Sequence, residues 1–140
     1  MAVYYLETSA LVKLYVREPG TERLLRLANS TKGNQFSVLT LSQVEFHSAI
    51  RRRERAGDID HNIANLILDR FGIHMQTRFL RQVLTESVLD SASEILDRYA
   101  LRAYDAVQLA ACLELKIICN SSGDSEEGSS GQKSAQSLST

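Results

Sequence analysis

Short apolar runs, each followed by a helical repeat, constrain this chain more than any other feature. Residues 3–7 and Phe36-Ser37-Val38-Leu39 read as short buried strands rather than as alternating, half-wet ones. A chain in which such strands alternate with helices implies an α/β fold, with a parallel sheet covered on both faces. A sheet of that kind puts its ligand site beyond the carboxyl ends of its strands.

The helices follow from their caps and periodicity. Thr8 or Ser9 is positioned to cap a helix carrying Leu11, Val12, Leu14, Tyr15 and Val16, which Pro19-Gly20 ends. Thr21 starts a second, with Leu24, Leu25, Leu27 and Ala28 inside. A third begins at Thr40 or Ser42 and carries Leu41, Val44, Ser48 and Ala49, with Gly57 as its C-cap signal. Asp60 caps a fourth, with Ile63, Ala64, Ile67, Leu68 and Phe71 on one face. Residues 79–84 hold a short strand at Gln82-Val83-Leu84, and Thr85 opens a helix with Val88, Ala92, Ile95, Leu96 and Tyr99 inward. Asp105 to Leu115 is a further helix, and Ile117-Ile118-Cys119 reads as a last strand.

Against this apolar pattern three carboxylates stand out. Glu7 closes the first strand, Glu45 lies on the inner stripe of the third helix, and Asp105 opens the segment Ala106-Val107-Gln108-Leu109-Ala110-Ala111. Carboxylates are rarely buried unless paired, hydrogen-bonded or bound to a cation. Each has a private explanation: Glu7 caps the next helix or pairs with a lysine, Glu45 pairs with one of the arginines a turn or two downstream, such as Arg52, and Asp105 is an N-terminal cap. Taken jointly, at one end of one sheet, they suggest a single acidic pocket for a hard cation. Mg²⁺ or Mn²⁺ suits such oxygen ligands and can activate water toward a phosphodiester.

Composition bounds the alternatives. With 140 residues and a 44% hydrophobic fraction, the chain is long enough for one domain with a core. There is no membrane-length apolar run and no signal-peptide pattern, so a cytoplasmic location is expected. The net charge of −1 gives no general drive toward nucleic acid, so such binding needs local patches, of which Arg51, Arg52, Arg53 and Arg55 are the densest. Scattered His47, His61 and His74 argue against zinc, and isolated Cys112 and Cys119 read as buried thiols. There is no Gly-rich nucleotide cradle and no serine-hydrolase elbow. The last 20 residues hold eight Ser and three Gly, so residues 125–140 read as a disordered tail after a domain of 1–124.

Three segments together resemble the PIN-domain ribonucleases, especially VapC-type toxins of bacterial toxin–antitoxin pairs. They are Tyr5-Leu6-Glu7-Thr8-Ser9-Ala10-Leu11-Val12-Lys13-Leu14-Tyr15, then Ser42-Gln43-Val44-Glu45 with Arg51-Arg52 downstream, then Leu101-Arg102-Ala103-Tyr104-Asp105-Ala106-Val107-Gln108-Leu109-Ala110-Ala111. The resemblance covers residues 3–119 and implies a three-layer α/β/α fold around a parallel sheet. It implies a Mg²⁺- or Mn²⁺-dependent cut of RNA leaving 5′-phosphate and 3′-hydroxyl ends, a homodimer, and a cognate antitoxin over the acidic site. Glu7, Glu45 and Asp105 are the implied metal ligands and catalytic residues, Asp124 is a fourth, and Thr8, Ser9, Arg51 and Arg52 are implied supports for site or RNA.

The chain departs from the family twice. Glu7 stands where Asp is usual, and one extra methylene displaces a carboxylate by about a bond length in a coordination sphere that tolerates little distortion. After Asp124 the usual helix and strand are replaced by the Ser/Gly tail, so the C-terminal βα unit looks truncated or altered. The alternative reading is therefore a catalytically weak PIN-like module that binds RNA or an antitoxin-like protein. An aspartate-dependent phosphohydrolase ranks last, because Glu7 and Ser9 stand where its two Asp residues belong.

Overall fold

The computed structural model describes residues 2–31, 33–122 and 133–134. In chain order the elements are β1 (Val3–Leu6), α1 (Thr8–Tyr15), α2 (Thr21–Ala28), β2 (Gln35–Leu39), α3 (Ser42–Arg55), α4 (His61–Thr77), β3 (Leu80–Gln82), α5 (Glu86–Arg98), α6 (Ala103–Ser122) and β4 (Lys133–Ser134). The strands pair in the order β3-β2-β1-β4, all parallel. Leu6 of β1 sits opposite Val38 of β2, so the two central strands end together.

The strand side chains divide between two cores, which makes the architecture three-layered. Leu6, Phe36 and Val38 face a core built with α1 to α4, whose buried members include Leu11, Leu24, Phe46, Ile50, Phe71 and Met75. Tyr5 and Leu39 point the other way, into a smaller core with Val88 and Ala92 of α5 and Ala106, Ala110 and Ala111 of α6. This is the α/β/α arrangement expected from strands apolar on both faces. Among the described residues, no helix is long and apolar enough to cross a membrane.

Several local expectations hold. The Asp60 side chain accepts from Ile63 N at 2.8 Å and caps α4, while Thr85 Oγ1 accepts from Val88 N and caps α5. Gly57, at φ 82, follows the last turn of α3. Its N–H bonds Glu54 O and the next N–H, of Asp58, bonds Arg53 O, closing a Schellman turn.

Other expectations are corrected. Ile117-Ile118-Cys119 belongs to α6 and not to a strand, because extending an existing helix adds one bond per residue fixed, and that outweighs a short β-branched preference. The third strand lies at Leu80–Gln82, two residues earlier than expected. The buried face of α3 is Ser42, Phe46 and Ile50, while Val44 is exposed. Leu96 of α5 and Tyr99, which follows it as the C-cap, are 40% and 62% exposed rather than inward. The outer edge of β1 is paired with β4 at Tyr4 and Tyr5. Apart from Lys133–Ser134, the expected disordered tail at 125–140 lies outside the described residues, as does Asp124.

Candidate active site

The carboxyl ends of β1 and β2 open into a cavity of about 680 Å³. Its lining includes Glu7, Thr8, Ser9, Glu45, Arg52 and Asp105, six of the eight residues singled out from the sequence. Each arrives on its own element. Glu7 is the first residue after β1, Glu45 stands in the first turn of α3 just beyond β2, and Asp105 stands in the first turn of α6. Phe46 and Ile50, both fully buried, anchor α3 on the sheet and so turn the adjacent Glu45–Ala49 edge toward the cavity.

Glu7 is also the N-cap of α1. Its Oε1 accepts from Ala10 N at 2.9 Å and from the Ser9 hydroxyl, and its Oε2 accepts from Ser9 N at 3.1 Å. The expected capping role of Thr8 or Ser9 thus falls to Glu7. Thr8 Oγ1 is buried with no hydrogen-bond partner of ordinary geometry, though it lies close enough to Glu45 to favour its ionised form.

The Glu45 carboxyl is shifted by its surroundings. Burial pushes its pKa up, the Gln108 and Thr8 contacts pull it down, and the charges of Glu7 and Asp105 raise it further. Neither Glu45 nor Glu7 nor Asp105 forms an ion pair among the described residues, so the alternative that Glu45 pairs with a downstream arginine such as Arg52 is not realised there. The site therefore sets the Glu45 carboxylate beside two further acids with no ion-paired base among the described residues.

These residues fit a hard, hydrated cation. The donors are oxygens, and a Mg²⁺-like ion keeps several waters while taking only one or two carboxylates directly. Among the described residues, no three acid, imidazole or thiol groups are close enough to grip one ion together.

The basic residues sort differently from expectation. Arg51 does not line the cavity, because it is held by Glu54 at 2.9 Å and Asn65 at 2.8 Å on the far side of α3. Arg52 does line it, and so does Arg53 of the same basic run. Glu18, also at the rim, pairs with both Arg53 and Lys13. Three further residues went unrecognised. Gln108 is 4% exposed; its Nε2 donates to Glu45 Oε1 at 3.0 Å and to Ser42 Oγ at 2.9 Å, and its Oε1 accepts from the Tyr5 hydroxyl. A glutamine on the inner face of a helix was the only available signal. Its partners are 103, 66 and 63 positions away, beyond any local pattern.

Comparison with known proteins agrees with this architecture. The PIN domain family matches residues 4–126. Ribonuclease VapC47 of Mycobacterium tuberculosis (strain CDC 1551 / Oshkosh) is 33% identical over 114 residues, covering 80% of this chain and 76% of that protein. A chain in the crystal structure of VapBC2 from Rickettsia felis, bound to a DNA fragment from their promoter, superposes with a TM-score of 0.57. It does so at 12% identity over 81% of this chain and 82% of that chain, a likeness of fold.

Proposed function

The chain belongs to the PIN-domain family, and on that premise we propose that it is a metal-dependent endoribonuclease, the toxin of a toxin–antitoxin pair. One observation carries the reading. Glu7, Glu45 and Asp105, from three distant parts of the chain, line a single cavity without an ion-pairing cation among the described residues. Together they hold one hydrated Mg²⁺ or Mn²⁺, partly through its waters. When bound, such an ion makes water more acidic and stabilises charge on phosphoryl oxygens. Asp124, expected as a fourth acid, lies outside the described residues.

The remaining side chains position RNA. Arg52 at the rim attracts phosphate, and such contacts give affinity rather than base choice. Ser9 holds the Glu7 carboxylate from its backbone N–H and its hydroxyl. The products proposed are 5′-phosphate and 3′-hydroxyl ends, the setting is the cytoplasm, and the partners are a second copy of the chain and an antitoxin that covers the cavity.

The test is cleavage of RNA by purified protein with and without Mn²⁺. Asp105→Asn is expected to lower the metal-dependent rate at least about a hundredfold, the scale of losing a preorganised charged group. Undiminished cleavage by that variant would show that the activity lies elsewhere. One observation favours a second reading, a weak or inactive RNA- or antitoxin-binding module: both Glu7 oxygens are already engaged in capping α1. Glu7→Asp separates the two. A gain in Mn²⁺ affinity with rescued cleavage supports the second reading, and full activity in the unmodified protein excludes it.

A further inference from the structure

We infer that Gln108 is a positioning residue that aims the Glu45 carboxylate into the cavity, with the Tyr5 hydroxyl fixing the way its amide faces. The inference rests on the reading of Glu45 as a metal ligand.

A buried amide can be inserted in two orientations, and only one of them is useful here. Gln108 Oε1 accepts from the Tyr5 hydroxyl, so its NH₂ group faces Glu45 Oε1 at 3.0 Å and Ser42 Oγ at 2.9 Å. Both amide hydrogens and one oxygen lone pair are used, so the group is satisfied in its buried position. Flipping the amide would set its oxygen against an anionic carboxylate and leave the Tyr5 hydroxyl without its acceptor.

The geometry does more than join elements. The network links β1, α3 and α6, yet Ser42 alone would serve as a staple between α3 and α6. The second amide hydrogen is spent on the carboxylate that lines the cavity. A donor that occupies one lone pair of Glu45 Oε1 restricts the carboxylate to one rotation. Partners of that kind, one layer behind a metal ligand, set its orientation, and their loss typically weakens metal binding about 10–100-fold.

The experiment titrates full-length protein with Mn²⁺ by calorimetry, below the melting temperature of each variant. Gln108→Met and Tyr5→Phe are expected to weaken Mn²⁺ at least about tenfold. Ser42→Ala, which removes the other acceptor of the same amide, is expected to lower the melting temperature with little change in affinity. Should Gln108→Met not fold, Tyr5→Phe decides, since it removes a single oxygen. Affinities within about twofold of the unmodified protein for Gln108→Met and Tyr5→Phe, alongside a clear loss in Glu45→Gln, overturn the inference and leave the proposed function standing. An equal loss in Ser42→Ala overturns it too, because packing would then set the affinity. If Glu45→Gln binds Mn²⁺ normally, or the unmodified protein takes up none, the underlying reading fails and this inference fails with it.

Discussion

Glu7 performs two tasks with one carboxylate: it ends a strand at the cavity and starts a helix by accepting from Ala10 N, Ser9 N and the Ser9 hydroxyl. Glutamate is not among the favoured N-caps, which are shorter, yet its reach here is sufficient. In metal-free protein Glu7→Ala is expected to cost about 1 kcal/mol in a urea titration, while Glu7→Asp retains most of the cap. An unchanged midpoint for Glu7→Ala would remove the capping role. Glu45 makes a prediction of the opposite sign. Its folded-state pKa is raised above the ordinary 4.5, chiefly by burial. Ionised Glu45 therefore costs stability, and that cost builds as pH rises from about 4.5 through the folded pKa. Glu45→Gln is always neutral. Metal-free Glu45→Gln is expected to melt higher than the unmodified protein at neutral pH, with the gain fading to nothing below about pH 4.5. A gain that persists at low pH would assign it to something other than charge. The same substitution is expected to abolish Mn²⁺-dependent cleavage, so the acid is retained at the expense of the fold.

At the scale of the element, α3 does most to shape the site. Its buried face of Ser42, Phe46 and Ile50 fixes its roll, which turns Glu45 and Ala49 to the cavity and sends Arg51 away to Glu54 and Asn65. The helix stops at Gly57, whose φ of 82 lies in the left-handed region, and beyond it Asp58 joins the cavity lining. An added Cβ at Gly57 would touch nothing within 4 Å, so the cost of Gly57→Ala is that of the backbone alone. It is expected to destabilise by about 1 kcal/mol in denaturant unfolding, with Gly57→Asn costing less. A neutral Gly57→Ala would mean that the chain leaves α3 by another route without loss. Such caps were legible beforehand. Asp60, Thr85 and Gly57 are short-range signals, decided by a side chain and a backbone group within a few residues. The roll of α3 was not legible in the same way. Val44 and Phe46 are both apolar, and only packing on the sheet buries the second and exposes the first.

For the whole molecule, the larger core carries the site. Phe46 stacks on Phe71 with ring centroids 4.0 Å apart, and Tyr15 meets both edge-on. Truncating a buried aromatic costs about 3–5 kcal/mol, against a total stability of about 5–15 kcal/mol. Phe46→Ala is therefore expected to lose a large share of the folding free energy, and with it the placement of Glu45. Its urea midpoint should fall steeply, and Mn²⁺ uptake should fall with the folded fraction. Intact Mn²⁺ uptake by a partly unfolded variant would detach the site from this core.

What the sequence determined by itself is local in origin. Strands apolar on both faces could only be buried between layers, so the fold class was readable along the chain, and Glu7, Glu45 and Asp105 stood out as acids set against apolar segments, although Asp105 proves exposed and the other two half-buried. The tertiary structure alone decided which side chains meet. It brought Gln108 and Tyr5 together behind Glu45 across 103 positions, placed Arg52 at the rim and Arg51 elsewhere, and carried α6 through Ile117 and Ile118. The reason is physical: caps and periodicities are settled within a turn or two of chain, whereas the partner of a buried amide depends on how whole helices roll and pack against the sheet.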